Sequence, residues 1–159
     1  MKKKIISILA FIAIIIAAAI GGGVGKEIGR EVGNAAFPKA EPNKQQIENA
    51  LIKGFNQAAD QANKRGPVMV DKDTSWDRTT VGPRAQINYF YSLPKYSSKD
   101  IDKSILLSNA QAALKKSVCT NTDMRSSLKL GATYAYVYSG NDGTEIARVE
   151  INNSHCAHP

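Results

Sequence analysis

The sequence predicts an α+β fold. The expected form is a two-layer sandwich, with an antiparallel sheet of four or five strands and helices on one face, preceded by an N-terminal transmembrane or signal helix. Three observations predict it. Two long segments, 44–64 and about 97–119, place apolar residues at the three-and-four spacing of a helix buried on one side. Shorter segments at 67–70, 76–81, 85–93 and 132–152 show apolar runs or strict alternation, the signature of strands. A run of twenty residues, 5–24, carries no charge at all and stands behind Met-Lys-Lys-Lys.

That run comes first in the chain. A basic start followed by an apolar stretch reads as an export signal or an uncleaved anchor. Signal cores span about 7–15 residues and membrane helices roughly 20, so its length favours the anchor, with a cut after the alanines 17–19 as the alternative. Both readings export the rest of the chain, and Lys2, Lys3 and Lys4 stay on the cytoplasmic side. No cysteine follows the run, so nothing supports a lipid attachment there. The expected organisation is a signal anchor or signal peptide over 1–25, a Gly- and Pro-containing juxtamembrane linker over 26–43, and a periplasmic domain over 44–159.

The glycine-rich stretch after the apolar run resembles a phosphate loop only at first sight. Such a loop needs a glycine five residues before the Gly-Lys pair and a hydroxyl after it. Here Ile20 and Glu27 occupy those positions. A nucleotide is therefore not expected. Gly21, Gly25, Gly29 and Gly33 instead recur every four residues, which on a helix makes one stripe suited to close helix packing. The competing reading is a loose junction, since each glycine weakens a helix by about 1 kcal/mol.

Within the domain, Asn43 is placed to cap the first helix, and Gly66-Pro67 ends it. Pro67–Val70 and Trp76–Val81 are short strand candidates. A turn at Gly82–Arg84 leads into Ala85–Leu93, where Ile87, Tyr89, Tyr91 and Leu93 alternate with mostly polar residues. Ser97 and Asp100 have capping-box spacing ahead of the second helix, whose expected inner face is Ile101, Ile105, Ala112 and Ala113, with Leu106 beside it. A short helical turn over 122–128 should close at Gly131. Residues 132–152 are expected to form a hairpin about Ser139–Gly143, with Ala147, Val149 and Ile151 on one face of the returning strand.

The chain has two cysteines, Cys119 and Cys156. In an exported domain they are expected to form a disulfide, fastening the end of the second helix to the end of the last strand. The net charge is +7, but residues 36–159 hold sixteen Lys or Arg against twelve Asp or Glu, and no basic run in that region exceeds two. That favours a solvated surface over a nucleic-acid or lipid patch.

Candidates for chemistry are few. His155 and His158 flank Cys156 in a terminal tail, a poor place for a metal or a catalytic base, because catalytic groups need fixed geometry. Asp71, Asp73 and Asp77 near Trp76 are the one carboxylate cluster, and a solvated strand-turn-strand is its plainer reading. No catalytic residue, metal or cofactor is expected. Tyr89, Tyr91, Tyr134, Tyr136 and Tyr138 lie on alternating positions of two strands. They either pack beneath the helices or form an aromatic binding face.

The expected function is non-catalytic. The sequence describes a Gram-negative envelope protein, held in the membrane through residues 5–24 and binding an envelope protein as an accessory or adaptor. Two alternatives are a periplasmic inhibitor or immunity protein that sequesters a toxin or enzyme, and a hydrolase using carboxylates.

Overall fold

The structure is a computed structural model that describes residues 42–156. The apolar run and the stripe Gly21, Gly25, Gly29 and Gly33 lie outside the described residues, as does His158. The described order is α1 (Lys44–Asn63), β1 (Val68–Met69), β2 (Ser75–Gly82), β3 (Gln86–Leu93), α2 (Lys103–Thr120), α3 (Thr122–Lys129), β4 (Thr133–Gly140) and β5 (Glu145–Ile151). Single 3-10 turns, Ser98–Asp100 and Asn153–Cys156, precede α2 and follow β5. This is an α+β fold, a five-stranded sheet with three helices packed on it.

The helix ends follow from local chemistry. The Asn43 side chain accepts from the Gln46 N–H at 3.0 Å, and Gln46 returns the bond, so both orphan donors are satisfied. Gly66, with φ 68°, turns the chain out of α1 in a conformation that favours glycine. The Ser97–Asp100 box exists, but it caps only the 3-10 turn. The long helix starts later, where Asp102 Oδ1 accepts from the N–H groups of Ser104 and Ile105. Consequently its buried stripe is Leu106, Ala110, Leu114 and Val118; Ile105 is only half-buried, and Ala112 is exposed. The i, i+4 spacing of that stripe is the physical reason it lines one face. Asn121 closes α2 through its own N–H and caps α3 with its side chain, so one residue serves both helices.

The strand order is β1-β2-β3-β4-β5, with every neighbour also a neighbour in sequence. The expected all-antiparallel sheet is corrected at one place: β3 and β4 run parallel, so the sheet is mixed. Their connection contains both α2 and α3. A helical crossover returns the chain to the end where it started, which makes the next strand parallel. The register sets Tyr89 opposite Tyr136 and Tyr91 opposite Tyr138. The two tyrosine strands are therefore neighbours.

Side chains alternate across the sheet, so each strand offers one face to the helices. Ile87, Tyr89, Tyr91, Tyr134, Tyr136, Tyr138, Ala147, Val149 and Ile151 join Leu51 and Phe55 of α1, the α2 stripe and Met124 and Leu128 of α3 in one core. At the far edge, β1 covers only the first two positions of β2. Beyond it, the Asn63 amide takes the place of a strand: Nδ2 donates to Thr79 O and Oδ1 accepts from Thr79 N, each at 2.8 Å. At the other end of the sheet, Gly140 lies against the Ser97–Ser98 backbone, where a Cβ would collide with Ser98 N and come within 2.6 Å of Asp142 Oδ1.

Candidate functional site

The five tyrosines do not form an exposed binding face. Each is only 1–3 % exposed. Their rings stack in pairs, Tyr89 on Tyr136 at 5.2 Å and Tyr91 on Tyr138 at 5.3 Å, while Phe55 meets Tyr134 edge-on at 5.8 Å. The reason is the helix layer: α1 lies over the β2 side of the sheet, and α2 over the β5 side. Burial pushes the phenols of Tyr89, Tyr91, Tyr136 and Tyr138 well above their ordinary range. Burial also raises Tyr134, to about 12, although its hydroxyl shares a 2.7 Å hydrogen bond with Ser127, which works the other way. The Tyr136 hydroxyl is buried without a partner.

The carboxylate cluster is not assembled as a reaction centre. Asp71 Oδ1 accepts from the N–H groups of Asp73 and Thr74, closing the β1–β2 turn. Asp73 is buried and paired with Lys95 at 3.2 Å, and Lys95 also donates to Lys72 O. Asp77 accepts from Ser92 Oγ at 2.9 Å across the sheet, from a bulge between Trp76 and Arg78. Each carboxylate thus has its own structural role. His155 Nδ1 faces Asn152 Oδ1 at 2.9 Å, within the final turn. Cys119 and Cys156 form the disulfide, with Cα atoms 5.3 Å apart. It ties the last turn of α2 to the 3-10 turn after β5. Among the described residues, no three His, Cys, Asp or Glu side chains come together as a metal site.

The three described helices all pack on the tyrosine side of the sheet. No described helix packs on the other face. The register aligns Arg78, Phe90, Val137 and Arg148 in one cross-strand row, and Thr80, Asn88, Ala135 and Glu150 in the next. Ala135 and Val137, in the middle of these rows, are buried. The half-buried Phe90 carries the Arg78 guanidinium over its ring, 4.4 Å from the centroid. Asn88 accepts from Gln86 at 2.8 Å and donates to Thr80 Oγ1 at 3.5 Å. Arg148 pairs with Glu145 at 2.9 Å. The rows thus combine one aromatic ring and two arginines with polar side chains, residue types that protein interfaces favour.

The alternating tyrosines drew attention to the helix-covered side of the sheet and away from the side that carries Phe90. The signal was present: Phe90 sits out of phase with the tyrosines. The choice of face, however, depends on which side the helices cover, and alternation alone does not say.

Known structures share the fold. A Pseudomonas aeruginosa protein described as secreted is 22 % identical, with a TM-score of 0.58 over 69 % of this chain and 96 % of that one. The type II secretion system pilotin AspS of Vibrio cholerae is 17 % identical, with a TM-score of 0.53 over 70 % and 97 % of the two chains. The type 2 secretion system pilotin EpsS of Vibrio vulnificus is 14 % identical, with a TM-score of 0.56 over 72 % and 99 %. No curated protein matches the sequence. A family model does match residues 40–147, which is most of the domain, and the chain belongs to that family, described as Domain of unknown function (DUF8479).

Proposed function

We propose that this protein is a non-catalytic accessory of the bacterial envelope, which binds another envelope protein through the face of its sheet that no described helix covers. The observation that carries the reading is a contrast. Asp71, Asp73, Asp77 and His155 are each engaged in structural bonds, whereas Arg78 is exposed and Phe90 half-buried on a face with no described element across it. The shared fold with two secretion-system pilotins and a secreted protein points to the same compartment and the same kind of role. In this reading residues 1–25 anchor or export the chain, 26–43 link it, and the domain works on the far side of the membrane. Envelope proteins should copurify with the full chain after mild detergent extraction. Arg78→Glu, on an exposed position, should abolish that association without lowering the thermal midpoint. Recovery of the wild-type protein only as a free monomer would contradict the proposal.

A further inference from the structure

Charge that is scattered along the sequence is sorted by the fold. The three helices, with the Lys64–Arg65 pair that follows α1, carry nine Lys or Arg against three Asp or Glu, a net +6. Residues 68–93 and 133–151, the strands and their turns, carry four Lys or Arg against six Asp or Glu, a net −2. The domain therefore has a basic helical side and a mildly acidic sheet side, a field that orients it near any charged surface. The basic side is densest on α2 and α3. Lys103, Lys115, Lys116, Arg125 and Lys129 are all exposed, and α2 contains no carboxylate. Leu130, 39 % exposed, follows directly on Lys129. A large apolar side chain set among cations is the combination that a lipid headgroup region accepts.

We propose that the α2–α3 side of the helix layer lies on a membrane surface bearing anionic phospholipid. The proposal rests on the envelope reading above, because the tether is what selects lipid over an acidic protein. The apolar run ends at Val24, twenty residues before Lys44. Twenty residues reach at most about 70 Å, so a run held in a bilayer keeps the domain within reach of that surface. A bilayer holding the run is thus a charged surface that the domain never leaves. The charge is also spread over three helices, which suits a flat, laterally mobile surface. Docked in this way, the domain turns the Phe90 face of its sheet away from the lipid and toward partners.

The test uses the full chain in phosphatidylcholine vesicles, with and without phosphatidylglycerol at about a third of the lipid. A water-soluble amine reagent and mass spectrometry then read each lysine. Lys103, Lys115, Lys116 and Lys129 should react at least about fivefold more slowly on the anionic vesicles, and about 0.5 M salt should restore their reactivity. Lys72, on the sheet side with its side chain 79 % exposed, should react equally on both. A Lys115→Glu, Lys116→Glu variant with an unchanged melting curve should lose the protection at Lys103 and Lys129. Equal reactivity on the two vesicles, or protection that salt does not reverse, would overturn the proposal. Failure to sediment with phosphatidylcholine vesicles counts against the N-terminal anchor alone, and the lysine pattern still decides the docking.

Discussion

Asn63 shows how a single side chain completes this fold. Its amide donates to and accepts from the backbone of Thr79, where β1 has already ended. Asn63→Ala leaves both peptide groups of a partly buried strand edge without their partner, at an expected cost of about 2 kcal/mol. Asn63→Asp keeps the acceptor but not the donor, and its denaturation midpoint should fall between those of Ala and wild type. The tyrosines give a second residue-scale prediction. Their phenols are raised by burial, so the folded state holds these protons more tightly than the unfolded chain, whose phenols titrate near pH 10. The stability they contribute is complete below about pH 10 and is lost as pH rises through the folded values. For Tyr134 that window runs up to about pH 12. Tyrosinate absorbance and far-ultraviolet circular dichroism should therefore change together in alkali. Full ionisation of the core tyrosines with the circular dichroism intact would contradict their burial.

The elements were legible where local chemistry decides them. Asn43, Gly66 and Gly131 mark helix ends that the sequence suggests, and the tyrosine alternation gives β3 and β4 within a residue or two; the double cap at Asn121 emerges only in the structure. The second helix was misplaced because Ser97 and Asp100 form a genuine box around a turn that does not propagate. Asp102, two residues later, provides the cap that does, and the inner stripe shifts accordingly to Leu106, Ala110, Leu114 and Val118. The parallel pairing of β3 with β4 was not legible from periodicity, which gives a strand's faces but not its direction. It follows from the crossover through α2 and α3 once both strands are known to be neighbours. The disulfide belongs to this scale too. It closes a separation of 37 residues between α2 and the turn after β5, worth about 3–4 kcal/mol in chain-entropy terms. Cys119→Ser with Cys156→Ser should lower the thermal midpoint by about 10–20 °C, and reduction of the wild type should produce the same shift.

At the scale of the whole molecule, the same helix layer does two things. It buries the tyrosines, which removes them as a binding face, and it gathers nine of the chain's basic residues on one side. The sequence hid the second effect because residues on separate helices meet only in three dimensions. No basic run in the domain is longer than two residues, yet the layers differ by eight units of charge. The proposed face was hidden for a related reason: Phe90, Arg78 and Asn88 share a side of the sheet only through strand pairing, and no described helix covers it. The central claim, that this face holds an envelope partner, is tested most directly by site-specific photo-crosslinking in the living bacterium. The probe goes in place of Thr80, exposed on the proposed face, and in a second strain in place of Gln57, exposed on α1. The predicted result is a discrete crosslink to one envelope protein from position 80, absent from position 57. Uncrosslinked monomer from position 80, or the same adduct from both positions, would contradict the claim.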